Sequence, residues 1–170
     1  MKRSSLGMTL IEVMVVLAII GFSLNLAIPS FNRMIARNSA STQVNDFLTA
    51  IILARSEALK IGGVVSVVAA DSSDSENEFG KGFCVAAGSP ADCSGTVIRN
   101  FDGVPEVRRL NSVEDLPSLQ FGALGGLRGG TVQNVDFCSS QVNRRIYISL
   151  MGRTKSHRPD DDTVSRRPVC

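Results

Sequence analysis

The sequence contains no tryptophan, one tyrosine and one histidine in 170 residues. Any core must therefore be built from Val, Ile, Leu and Phe. His157 stands alone in a polar, proline-flanked stretch and reads as an exposed side chain. None of the four cysteines lies in a C-x-x-C pair, which with a single histidine argues against a tetrahedral zinc set. The glycine-rich run FGALGGLRGG over residues 121–130 lacks the G-K-[ST] ending of a phosphate-binding loop, so it is rejected as a nucleotide site. The acidic stretches 71–78 and 160–162 lack the spaced ligands and glycine of a calcium loop and read as solvated loops. No nucleophile–base set is present, so no catalysis, cofactor or metal is predicted. No internal repeat is evident.

Charge names no partner by its total. The 18 basic residues exceed the 16 acidic ones by two, and Lys2 and Arg3 lie in a segment expected to be removed, which leaves 16 against 16. Distribution says more. Between Arg144 and Cys170 there are seven Lys or Arg and three Asp, a local excess of four positive charges.

The N-terminus is the most informative part. A short polar, basic leader (MKRSSLG) precedes an apolar run over residues 8–28. At 1.5 Å per residue this run reaches roughly 30 Å, about one hydrocarbon core. Lys2 and Arg3 would hold the leader in the cytoplasm, and Pro29 predicts a bend where the helix leaves the bilayer. A secretory signal peptide would have a shorter apolar run and an A-x-A-like site, neither of which is found here. A plain signal-anchor fits the length but leaves Glu12 unexplained. Glu12 is the only charged residue between Arg3 and Arg33. A carboxylate inside an apolar span costs on the order of 3 kcal/mol, so it requires a partner. Cleavage after Gly7 would make Met8 the new terminus and place Glu12 one helical turn away. There the helix dipole favours it, and an amine of its own or a neighbouring chain can neutralise it.

The segment G-M-T-L-I-E, from Gly7 to Glu12 ahead of an unbroken apolar helix, resembles the type III signal of type IV pilins and pseudopilins, with Met8 in place of the common Phe. The resemblance implies a prepilin peptidase that cuts after Gly7 and methylates the Met8 amine. It also implies that Glu12 guides docking against other major and minor pilins. The expected organisation is a leader over residues 1–7, a transmembrane and assembly helix over 8–29, and a periplasmic globular domain over 30–170.

Beyond Pro29 the helical pattern continues to about Ile61. Val44, Phe47, Leu48, Ile51, Ile52 and Leu59 form an apolar stripe with Ala54 and Ala58 alongside, and Gly62-Gly63 ends it. Short β-prone runs follow at 64–69, 82–86, 96–101, 106–110, 131–138 and 145–150. One long helix followed by antiparallel strands predicts an α+β fold, a helix packed on a small antiparallel sheet. An exported chain with four cysteines favours disulfides. Of the three possible connectivities, Cys84–Cys93 would close a Gly/Pro/Ser loop and Cys138–Cys170 would tie down the C-terminus; four buried free thiols are the alternative.

The stretches LARSEALK (53–60), KGFCV (81–85), LQFGALGG (119–126) and RRIYISLMGRTK (144–155) resemble the GspH/FimT group of minor pilins and pseudopilins. That resemblance implies a pilin-like fold. It also bears on the basic tail Arg144, Arg145, Arg153, Lys155 and Arg158, with Arg166 and Arg167 beyond. FimT-like members that capture DNA use a G-R-x-R motif here, and Gly152-Arg153-Thr154-Lys155 keeps the first arginine. Lys155 can meet a phosphate but not bidentately. In an extended segment Arg153 and Lys155 would lie ~7 Å apart on one side, near the spacing of successive phosphates. Solvated cations guarding an edge strand explain the same charges. Any contact with double-stranded DNA would be weak, sequence-independent and salt-sensitive, with Tyr147 the one aromatic nearby.

The reading is of a minor type IV pilin held in the inner membrane, its domain periplasmic, that joins or primes a filament near the tip. A type II secretion pseudopilin and a non-polymerising membrane-anchored domain are the alternatives. Intact-mass and N-terminal peptide analysis of the full-length protein should find Met1–Gly7 missing and Met8 methylated. An unprocessed terminus would favour the plain anchor.

Overall fold

A long apolar stretch with a threonine before it and a glycine after it carries the boundary signals of a helix. The computed structural model describes residues 9–71, 73, 76–105, 108–140 and 142–157, and the backbone alone over 24–26. In it helix α1 runs Leu10–Ile61. Thr9 caps the start. Its Oγ1 accepts from the Glu12 N–H at 3.4 Å, and its carbonyl accepts from the Glu12 and Val13 N–H groups at 3.1 and 3.3 Å. At the other end Gly62 takes a φ of 67°, and the N–H groups of Gly62 and Gly63 both reach the Ala58 carbonyl, at 3.0 and 3.3 Å. Pro29 lies inside the helix and does not end it, although its ring removes one backbone donor.

The chain forms two units, Met1–Asn38 and Ser39–Cys170. In the described part of the first, apolar side chains are exposed at Leu10, Ile11, Val13, Met14, Val15, Val16, Leu17, Ile19, Ile20 and Phe22, on every side of the helix. The stretch is long and apolar enough to cross a membrane.

In the second unit the same helix has a covered seam. Ala40, Val44, Phe47, Ile51, Ala54 and Ala58 are buried, alternating steps of four and three residues that keep one line of the surface inward. Three of these six are alanines, so the backbone lies close to what covers it. Ile52 and Leu59, expected in the stripe, are exposed. Each follows a seam residue, and a one-residue step turns the side chain by about 100°.

Eight strands follow: β1 (Val65–Ala69), β2 (Phe83–Ala87), β3 (Val97–Phe101), β4 (Arg109–Ser112), β5 (Ser118–Phe121), β6 (Gln133–Cys138), β7 (Arg144–Ile148) and β8 (Thr154–His157). They form two four-stranded sheets, ordered β3-β2-β1-β5 and β4-β6-β7-β8, with every pairing antiparallel. This is the expected α+β arrangement, with two sheets where one small sheet was anticipated. The strand predicted over 106–110 lies instead at Arg109–Ser112, while residues 106 and 107 lie outside the described residues. Strands β5 and β8 were not anticipated. The first is cut short by the glycine run, and the second (TKSH) has no apolar residue.

Alternate residues of both sheets meet the helix seam in one core. Val65, Val67, Phe83, Val85, Leu119 and Phe121 come from the first sheet, and Leu110, Val135, Phe137, Ile146 and Ile148 from the second. Phe47 is the hub, with its ring centroid 5.1 Å from both Phe79 and Phe83. Strand β1 is buried at all five positions, because its other face is covered too. There Val68, Cys84 and Ala86 pack with Cys93 and Val97. The disulfide Cys84–Cys93, with its Cα atoms 5.9 Å apart, clamps the 84–93 loop over that face. Cys138 is also disulfide-bonded; its expected partner, Cys170, lies outside the described residues.

The stretch 71–78, expected to be a solvated loop, is one only in part. Asp71 is exposed. Hydrogen bonds from Lys81 and Ser73 hold its carboxyl well below the usual carboxylate range. That stabilisation is complete above the ordinary carboxylate pKa and is lost as the pH falls through the depressed folded value. Further on, the loop is structural. The Phe79 N–H donates to the Leu110 carbonyl at 3.1 Å. Asn77 Oδ1 accepts from the Leu110 N–H at 2.7 Å, and Glu78 Oε2 from the Ser112 N–H at 2.9 Å. Glu76 pairs with Arg109 at 2.9 Å. Glu78 is thus 2% exposed because the outer edge of β4 needs acceptors. Arg108 ties the same region to the helix through Ser39 Oγ (3.0 Å) and Gln43 Oε1 (2.6 Å).

Truncation of Phe47 to Ala should cost about 3–5 kcal/mol, read as a lowered melting temperature of the full-length protein. Replacing Cys84 and Cys93 together with Ser should cost about 2–3 kcal/mol in the same measurement. A smaller loss than with Phe47→Ala is expected because the clamp covers only the outer face of β1.

Candidate functional site

Two surfaces answer to the sequence-predicted sites. The first is the start of α1. Glu12 lies in its first turn and is exposed. Among the described residues it joins no ion pair. Thr9 and Glu12 stand at the cap and third helical positions of a T-x-x-E capping box. Thr9 was missed in the sequence reading although that signature was available. Its hydroxyl starts the helix within four residues of the expected cleavage bond, so Glu12 is already in a helical turn when the chain end is near. Gly7 and Met8 themselves lie outside the described residues.

The second surface is the edge of the β4-β6-β7-β8 sheet. Arg153 and Lys155 are exposed. Arg153 leads into β8 from a tight turn, its N–H donating to Ser149 Oγ at 3.1 Å and its carbonyl accepting from the Ser149 N–H at 2.9 Å. Lys155 stands opposite Tyr147 on β7, and Tyr147 is half-buried. His157 is half-buried as well, not fully exposed, at the far end of β8 opposite Arg145. Arg144 is half-buried. Arg158, Arg166 and Arg167 lie outside the described residues.

Arg145 does not belong to this set. It is 4% exposed, and its Nε and Nη2 donate to Asp136 Oδ1 and Oδ2 at 2.7 and 2.6 Å. Asp136 sits directly opposite on β6, and the two-pronged geometry commits the Nε and Nη2 edge of the guanidinium. The expectation that Arg145 faces a phosphate is therefore corrected. Removing it from its partner would strand a buried charge. Nothing in the spacing of Asp136 and Arg145 reveals the pair until the strand register is known.

Gly152 owes its identity to packing. Its φ is 69°, and a Cβ there would run into the carbonyl oxygen of Gly125, so this first residue of the Gly152–Lys155 motif is required by the fold whatever the cations do. Among the described residues no three His, Cys, Asp or Glu side chains gather where a metal could sit.

Residues 43–152 match the family described as Type II transport protein GspH, and residues 2–24 match the prokaryotic N-terminal methylation motif. No curated protein matches the sequence. Among solved structures, the fold is similar to two crystal forms of the type IV minor pilin FimU of Pseudomonas aeruginosa. The form in space group P21 is 22% identical, with a TM-score of 0.62, 72% of this chain covered and 90% of that one. The form in P65 is 24% identical, with a TM-score of 0.57 and coverages of 71% and 91%. The pilin-like fold is thereby established, and the family match spans more than half of the chain. With the methylation motif ahead of the matched domain, this chain belongs to the GspH family, whose members are structural pilin-type proteins and not enzymes.

Proposed function

We propose that this protein is a minor pilin processed after Gly7, methylated on Met8, and drawn into a filament by its N-terminal helix. One observation carries the reading: residues 10–22 expose apolar side chains on every side of the helix, and Glu12 is the one carboxylate among them. Such a helix is stable in lipid or among other helices, not in water. In lipid Glu12 needs a cation, and the amine of a neighbouring subunit supplies it when helices bundle. Assembly is thus favoured over the membrane-held state by the neutralisation of two charges. The globular unit begins at Ser39 and faces the periplasm before assembly. Near the tip of a type IV pilus it would join or prime the filament.

The family description favours a second reading, a minor pseudopilin of type II secretion. Both use the same helix chemistry. Affinity purification of the full-length protein after chemical cross-linking in cells, with the other subunits identified by mass spectrometry, separates them by which assembly it enters.

Duplex DNA is a further ligand of this reading, supported by the exposure of Arg153 and Lys155 on the β8 edge. With Arg145 committed to Asp136 the contact set is small, so binding would be weak and steeply salt-dependent.

Glu12→Gln keeps the helix and its cap but removes the charge. It should reduce incorporation into filaments at least tenfold while leaving processing at Gly7 intact, measured by immunoblotting of sheared filaments against total protein. Unchanged incorporation would remove the basis of the assembly mechanism. Arg153→Ala with Lys155→Ala should abolish retention of duplex DNA at about 50 mM salt. Equal retention by the double variant and the parent would exclude this edge.

A further inference from the structure

The end of the second unit where α1 finishes carries an apolar surface that none of the preceding functions uses. Leu124, in the turn after β5, is 92% exposed. Met151, in the turn between β7 and β8, is 71% exposed, and Leu59 on α1 is 52% exposed. Five contacts bring these elements together. Added Cβ atoms at Gly125 and Gly152 would both lie against Arg55, that at Gly125 would also meet Leu59, and the Gly152 position abuts the Gly125 carbonyl. The Leu127 N–H donates to the Leu150 carbonyl at 2.8 Å, joining the two turns directly. Glycines at 125 and 152, with φ of 71° and 69°, let both turns close over the arginine.

Arg55 is the singular residue of this surface. Its stem passes beneath the two turns, and its Nε is buried with no hydrogen-bond partner among the described residues. Among the described residues neither Arg55 nor Arg153, which follows Gly152 in the chain, joins an ion pair. A guanidinium fixed at its stem, partly stripped of water and set among exposed Leu and Met is arranged for a planar acceptor such as a carboxylate. Apolar groups around an arginine are also the composition of an interface centre.

We propose that Leu59, Leu124 and Met151, with Arg55 at their centre, dock the globular domain of a different pilin-type subunit, one that presents an apolar spot holding a carboxylate. Charge complementarity selects this occupant. A second copy meeting the same face would bring a second Arg55 and, from Leu59, Leu124 and Met151, no carboxylate to neutralise it. A nucleic acid would leave Leu124 and Met151 with nothing apolar to cover. The inference deepens the minor-pilin reading and depends on it.

The test places a photo-crosslinking amino acid at position 124 or 151 of the full-length protein in its own cells, with position 98 on β3 as the control. The expected result is a cross-link at 124 and 151, absent at 98, to an identified pilin-type subunit, with an Asp or Glu in the linked peptide. Arg55→Glu should lower its yield at least tenfold, and replacing that partner acid by Lys should restore it. Leu124→Asp, at a turn tip where folding is indifferent, should also break association with that subunit without moving the melting temperature. Equal cross-linking at 98, links only to lipid, nucleic acid or a second copy, or an unchanged yield in Arg55→Glu would each overturn the proposal. A chain processed and present in filaments that links to nothing at 124 or 151 sinks this surface alone. A chain that keeps its leader yet forms the charge-swappable link sustains the surface and sinks the filament reading.

Discussion

The burial of Phe47 against Phe79 and Phe83 is the contact on which the globular unit depends. One ring from the helix meets one from the loop before β2 and one from β2 itself, so three separate pieces of chain leave water together. On either side of Phe47 the seam narrows to alanines at 40, 54 and 58. Small side chains there bring the helix backbone close enough for residues of both sheets to reach it. The helix can therefore serve as the shared floor of two sheets that do not hydrogen-bond to each other. Its earlier residues follow the opposite rule. Over 10–22 the apolar side chains remain exposed all round, and only lipid or other helices can relieve them. One continuous element thus carries a surface satisfied by its own chain and another that only other molecules can satisfy.

Much of this was legible in the residues. The single glutamate in an apolar run, the glycines ending the helix, the alternating strands and the Cys84–Cys93 staple are all local signals, and each depends on neighbours within a few positions. What could not be read depends on register. Arg145 looks like its neighbour Arg144 in sequence, and only the pairing of β6 with β7 shows that Asp136 stands opposite it. Glu78 reads as a solvated acid because its partner, the Ser112 N–H, is 34 residues away. Ile52 and Leu59 were placed in the core because a broad stripe and a narrow seam look alike until the covering layer is known. Strand β8 was invisible for another reason: an edge strand exposed on its outer side needs no apolar alternation.

The cationic edge and the apolar turn surface meet at Gly152, and this changes how the Gly152–Lys155 motif is understood. Its glycine answers to packing against Gly125, its arginine to solvent, and its lysine to an edge position beside Tyr147. A short motif can therefore persist for reasons that have nothing to do with a ligand, and its presence alone does not identify one.

The strap of residues 76–79 has a bearing on polymerisation. By lending side-chain oxygens to the N–H groups of Leu110 and Ser112, it closes one border of its sheet to any incoming strand, and the opposite border, β8, carries Lys155 with Arg153 just before it. In the proposed filament, a subunit crowded against its relatives would thereby avoid fusing with them backbone to backbone. Growth of such a fibre would be left to helices and turn tips, whose contacts side chains can specify one subunit at a time.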